Sequence, residues 1–124
     1  MTITVTVPGD PVAKGRPRFT RTGRSYTPAK TKKFENLVRL AYSLQQPDRK
    51  PAEGPIELTV RAYFSIPKSW SKKKQAEAAT EQMKKISKTD LDNCLKAVQD
   101  GLNGVAWLDD AQVTDTHTSK RYSL

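Results

Sequence analysis

With 124 residues and a single cysteine, Cys94, the chain has the length of one domain with its own core and can form no intramolecular disulfide, so a reducing, cytoplasmic setting is expected. Its 22 Lys and Arg against 13 Asp and Glu give a net charge of +9, which points first to nucleic acid as partner, although a ribosome-associated or merely basic protein has the same balance. No stretch approaches the ~20 apolar residues of a membrane span. The opening MTITVTVPGD has neither the basic start nor the long apolar run of a signal peptide, so neither membrane nor leader is expected.

TITVTV alternates Ile3, Val5 and Val7 with threonines and predicts a half-buried strand. PGDPVAKGRPRFTRTGRSYTP is rich in Pro, Gly and Arg and reads as a loop or irregular hairpin turning at RTGR. Pro28 stands where helices begin, and Phe34, Leu37, Val38, Ala41 and Leu44 follow at helical spacing. PDRKPAEGP breaks that helix. IELTVRAYFSIP, with Ile56, Leu58, Val60, Ala62, Phe64 and Ile66 alternating, is the clearest strand. KSWSKKKQAEAATEQMKK predicts a second, exposed helix capped by Ser69 or Ser71. TDLDNCLKAVQDGLNG predicts a third, with Leu91, Leu95, Val98 and Leu102 as its stripe and NG as its stop. VAWLDDAQVTDTHTSKRYS supplies one or two short strands. The order β, loop, α, β, α, α, β implies one α+β domain with a small mixed sheet.

Charge is segregated along the chain. Residues 1–50 carry 11 basic and 3 acidic side chains, whereas residues 90–124 carry 3 and 6. Those six carboxylates are Asp90, Asp92, Asp100, Asp109, Asp110 and Asp115, with no Glu among them. Asp92, Lys96 and Asp100 share one face of the third helix, Asp90 sits at its start, and the turn at Asp109 and Asp110 could return the chain past that start. Two readings stand side by side. In the bland one, Thr89 to Asp92 is a capping box, the acids favour the helix dipole, and LDD is a turn. In the other, short stiff carboxylates converge on Mg²⁺, which takes oxygen ligands and keeps several waters, and Lys96 offsets charge on a phosphate. Zinc does not suit a chain with one Cys and one His. His117 reads as a surface residue, Cys94 as a small core residue, and Trp70 and Trp107 as packing residues. No Walker loop or G-x-G-x-x-G is present, and no small-molecule cofactor is expected.

The stretch KTDLDNCLKAVQDGLNGVAWLDDAQV resembles the signature of the RusA family of Holliday junction resolvases, small phage- and prophage-associated endodeoxyribonucleases. The block D-L-D-N-x-x-K-A-x-x-D-x-L-N-G-x-x-x-x-D-D carries the resemblance, and PGDPVAKGRPRF resembles the family's G-x-P-x-x-K-x-R-P-R opening. The resemblance implies a RusA-like α+β domain over residues 1–124. It implies that Asp90, Asp92 and Asp110 bind catalytic Mg²⁺, with Mn²⁺ as a substitute, that Lys96 is needed for cleavage, and that Asp109 supports them. It also implies a homodimer that makes paired symmetric nicks in four-way junction DNA during recombination and repair. The resemblance also implies a further strand after the KRYS-like segment, as family members typically have, whereas the sequence given runs to Leu124.

Lys14, Arg16, Arg18, Arg21 and Arg24 lie in the Pro/Gly-rich loop with Phe19 and Tyr26 among them, a pattern that suits phosphates and exposed base faces as well as a solvated loop. The resemblance assigns DNA contact to Lys14, Arg16 and Arg18. The lysines of SKKKQ and Lys84–Lys85 read as exposed helix faces. Two other functions fit the same residues: a non-catalytic basic nucleic-acid-binding module with a structural acidic turn, and a basic protein with an acidic protein partner.

Overall fold

Pro28 opens the first helix, α1 (Ala29–Gln45), with φ −53° and ψ 143°, and the computed structural model describes residues 2–15, 18–80, 84–86 and 90–123 of the chain. Thr31, Phe34, Val38, Ala41 and Tyr42 are the buried residues of α1. The predicted stripe is therefore rotated: Leu44 is 71% exposed, and Tyr42 and Thr31 take the inner face. Before α1, a short antiparallel hairpin pairs β1 (Arg18–Phe19) with β2 (Ser25–Tyr26) around the expected turn, closed by Thr20 N–H to Arg24 O at 2.8 Å.

Among the described residues the sheet proper has two strands. β3 (Ile56–Phe64) runs parallel to β4 (Val113–Tyr122), from Ile56↔Val113 to Phe64↔Tyr122 with an irregularity after Ile56. A parallel pair needs a long crossover. Here it contains α2 (Lys72–Ala79), α3 (Leu91–Leu102) and a 3₁₀ turn (Asp110–Gln112). β3 alternates as predicted, with Ala62 and Phe64 buried and Glu57, Thr59, Arg61 and Tyr63 exposed. β4 is one continuous ten-residue strand despite its polar sequence, because β3 supplies its ladder along the whole length. Ser71, one of the two predicted caps, accepts from Lys74 N–H at 3.2 Å at the start of α2.

TITVTV forms no strand. Gln45 supplies the bonds that a neighbouring strand would have given: Thr6 N–H donates to Gln45 Oε1 at 2.9 Å, and Gln45 Nε2 donates to Thr6 O at 2.6 Å. Val5 and Val7 still pack on the core, which joins Phe34, Val38 and Tyr42 of α1 to Ala97 and Leu102 of α3 and to Trp107. A second cluster, Ala62, Phe64 and Cys94, lies where the N-terminal part of α3 meets the end of β3. The inner face of α3 is Cys94, Ala97, Gly101 and Leu102, whereas Leu91 of the predicted stripe is 38% exposed. Small residues win that face because the helices approach closely: a Cβ on Gly101 would lie 3.0 Å from both Glu35 O and Val38 Cβ. The molecule is thus a small α+β domain of three helices and a small sheet. Among the described residues no helix is long and apolar enough to cross a membrane.

Candidate active site and nucleic-acid interface

The start of α3 presents two carboxylates. Asp90 is the N-cap residue, in extended backbone, and its main-chain oxygen accepts from Asn93 and Cys94 N–H at 3.1 Å each. Its side chain makes no capping hydrogen bond, so the carboxylate is not consumed by the helix. Asp92 lies exposed in the first turn. Both sit at the positive end of the helix dipole. Lys96, one turn beyond Asp92, is exposed. Thr89, and with it the capping box expected from Thr89 to Asp92, lies outside the described residues. Cys94 is 2% exposed, and burial pushes its thiol pKa up, the nearby Asp90 charge adding to this and Lys120 and Lys85 opposing it. That is the packing role expected of it.

The second acidic element lies elsewhere. After α3 the chain turns back on itself, with Gly104 N–H donating to Trp107 O at 2.8 Å. Trp107 is buried at 3% exposure, and its Nε1 donates to Asp110 Oδ1 at 2.8 Å. Asp109 and Gln112 form a capping box, with Gln112 Oε1 accepting from Asp109 N–H at 2.9 Å, and Gln112 Nε2 donates to Ala52 O and Gly54 O. The bend carrying Asp109 and Asp110 is therefore stitched to the C-terminal end of α3 and to the start of the sheet. Asp90 and Asp92 are at the other end of a 12-residue helix, about 18 Å long. Among the described residues no three of His, Cys, Asp and Glu form a group able to hold a metal ion. The expected return of the chain past the start of α3 does not occur within one subunit. The parallel register explains it: β4 must begin beside the start of β3, and Cys94 near the start of α3 packs against the end of β3.

The basic loop is fastened beside the start of α3. Lys14 N–H donates to Asn93 O at 3.0 Å, and Gly15 N–H donates to Thr31 Oγ1 at 3.0 Å. Lys14 Nζ lies 2.9 Å from Asp100 Oδ2 and 3.2 Å from Glu35 Oε2. Burial alone would lower the pKa of this ammonium, but the hydrogen bonds and charges of Asp100 and Glu35 outweigh it and hold it above the ordinary lysine value. Arg16 lies outside the described residues. Arg18 is placed by its backbone in β1. Phe19 and Tyr26 are 71% and 48% exposed, with Arg21 and Arg24 exposed between them on the hairpin.

Three features escape a reading of the sequence. The Lys14–Glu35–Asp100 group joins three distant segments and leaves no local trace. The Trp107–Asp110 bond has one, since a tryptophan three residues before an acid in a turn can reach it. The third is a set of cations on aromatic faces at the far end of the sheet: Lys74 over Trp70 at 4.0 Å, Lys85 over Phe64 at 4.8 Å, with Trp70 edge-on to Tyr122 at 5.2 Å. His117 is exposed on β4, as expected of a surface residue.

The family profile described as endodeoxyribonuclease RusA matches residues 8–124, taking in both the KGRPRF opening and the aspartate block. The uncharacterized protein YqaN of Bacillus subtilis (strain 168) is 41% identical over 126 residues, which cover 98% of this chain and 88% of that protein. A match across nearly the whole length, with its signature residues at both ends of the folded domain, assigns the chain to the RusA family of endodeoxyribonucleases.

Proposed function

We propose that the protein is a cytoplasmic, Mg²⁺-dependent, structure-selective endodeoxyribonuclease that resolves four-way DNA junctions by paired symmetric nicks, acting as a homodimer in recombination and repair. The observation that carries this reading is the bond from Lys14 N–H to Asn93 O, 3.0 Å, which fastens Lys14, two residues before the first arginine of the sequence, next to the helix tip that bears Asp90 and Asp92. This supports a reading in which the segment after Lys14 meets phosphate beside the carboxylate pair at the start of α3.

The donor types fit a hard cation: short carboxylates, with Asp90 free of any capping bond. Asp90, Asp92 and Asp110 would hold Mg²⁺ or Mn²⁺, which when bound supplies Lewis-acid charge at the scissile phosphate. The indole N–H of Trp107 orients Asp110 by engaging one of its oxygens. Lys96 offsets negative charge that grows on the phosphoryl oxygens in the transition state. Arg16 and Arg18 neutralise backbone phosphates and place the strand. Because Asp110 and the Asp90–Asp92 pair stand at opposite ends of α3, the three-carboxylate set requires two subunits. A two-fold dimer brings the acidic bend of one subunit to the helix tip of the other, and its symmetry matches that of a four-way junction.

The competing reading, a non-catalytic nucleic-acid-binding module, draws on the Asp109–Gln112 capping box and the Trp107–Asp110 bond, which account for the acidic bend as local structure. A nicking assay on a synthetic four-way junction and its linear duplex, with Mg²⁺ or with chelator, separates the two. The nuclease cuts the junction in Mg²⁺ only; the module cuts neither substrate and binds both alike. Asp90→Asn protein should lose nicking yet bind the junction as tightly as wild type or tighter, since it removes a negative charge near phosphate. Loss of binding by a folded Asp90→Asn protein would argue against the assignment.

A further inference from the structure

We infer that Lys14 is a positioning residue, clamped between Glu35 and Asp100 so that the basic loop is held against α1 and α3, and that its ammonium makes no phosphate contact of its own. The inference rests on the nuclease reading above for its DNA readout, but the anchoring itself is a property of the chain alone.

The charge balance argues first. Two carboxylates face one ammonium at 2.9 and 3.2 Å, so its charge is already met within the protein and it attracts a phosphate less than a free lysine would. The Lys14 side chain is 17% exposed, most of its length being covered by the elements it joins. Asp100 is in the last turn of α3, where a negative charge opposes the helix dipole. Its place there does nothing for the helix and is explained by its partner. The backbone argues next. Lys14 and Gly15 are bonded to α3 through Asn93 O and to α1 through Thr31 Oγ1. A Cβ on Gly15 would lie 2.9 Å from Thr31 Oγ1 and 3.0 Å from Pro28 Cγ, so the main chain is seated flush on the start of α1. The arginine-bearing segment begins at the next residue. Its departure point is therefore fixed by main-chain bonds whose register the ammonium clamp secures.

Electrostatics and positioning predict opposite signs for Asp100→Asn. Removing a carboxylate near a DNA-binding loop should tighten binding if Lys14 is a phosphate contact released from its partner. If Lys14 is an anchor, loosening it should weaken binding. The experiment compares wild type, Lys14→Gln, Asp100→Asn and Arg18→Gln in two measurements. Amide hydrogen exchange at Lys14 and Gly15, without DNA, should accelerate about tenfold or more in Lys14→Gln and Asp100→Asn. Four-way junction affinity as a function of salt, without metal, should fall about three- to tenfold in both with an unchanged salt slope, whereas Arg18→Gln should lower the slope by about 0.9. Unchanged or tighter binding by Asp100→Asn, unchanged exchange in that variant, or a slope lowered by about 0.9 in Lys14→Gln overturns the inference. Asp100→Asn keeps the lysine, so the test stands if Lys14→Gln fails to fold. Wild-type protein that binds no junction sinks the nuclease reading, while the exchange measurement still decides the anchoring.

Discussion

Trp107 has two jobs that a single substitution separates. Its ring fills the core at 3% exposure, and its Nε1 holds Asp110 at 2.8 Å. Phenylalanine keeps most of the packing and removes the donor. If Asp110 holds the metal as proposed, Trp107→Phe should therefore remain folded while Mg²⁺ dependence shifts to higher concentration and nicking falls about 10–100-fold, the usual effect of losing a group that orients a metal ligand. A Mg²⁺ titration of nicking rate checks it; an unchanged titration in a folded variant would mean that Asp110 needs no orienting. Lys14 gives a stability prediction with a definite sign. Its pKa is held above the ordinary 10.5 in the folded state, so its contribution is fully present below about pH 10.5 and disappears as pH climbs through the raised folded value. Lys14→Met leaves Glu35 and Asp100 facing each other without a cation and should cost about 1–3 kcal/mol at neutral pH. Urea unfolding of both proteins should give a constant difference from pH 7 to pH 9 and a shrinking one above pH 10.5.

Gly101 shows how one element is matched to another. Alanine in place of glycine gains about 1 kcal/mol in a helix interior, but here the new methyl would meet Glu35 O and Val38 Cβ at 3.0 Å. A backbone carbonyl cannot turn aside as a side chain can, so α1 and α3 must part, and such overpacking costs about 1–3 kcal/mol. Gly101→Ala should thus destabilise the domain despite its better propensity, lowering the midpoint of thermal unfolding; a raised midpoint would show that the helices yield freely. The same contact explains what the sequence reveals of its elements and what it hides. α1, β3 and α3 announce themselves by period, because each buries one side. Which side of α3 faces inward is not legible, since Leu91 and Leu95 outweigh Ala97 and Gly101 in any hydrophobic count. Close approach to α1 favours the smaller residues. The failed N-terminal strand has a similar cause: alternation was present at Val5 and Val7, but a distant Gln45 took the backbone bonds at Thr6.

At the scale of the whole molecule, topology decides what the acidic residues can do. Their identities and spacing were legible, as was the basic loop. Their separation was not, because it follows from the parallel pairing of β3 with β4, which puts the Asp109–Asp110 bend at the opposite end of α3 from Asp90. If the metal site is completed across a dimer, two inactive variants should rescue each other. In a mixed dimer of Asp90→Asn with Asp110→Asn, one site collects both substitutions and the other collects neither. One intact site per mixed dimer should cut one strand only. Equal mixing makes about half of the dimers mixed, so about a quarter of the wild-type sites should return. A supercoiled plasmid extruding a cruciform reads this directly: each variant alone leaves it intact, the mixture yields nicked circles, and wild type yields linear product from paired cuts. If each chain instead builds its own site, every site in the mixture carries one substitution and no nicking appears. That result would require Asp110 to reach the start of α3 within its own subunit, against the register of the sheet.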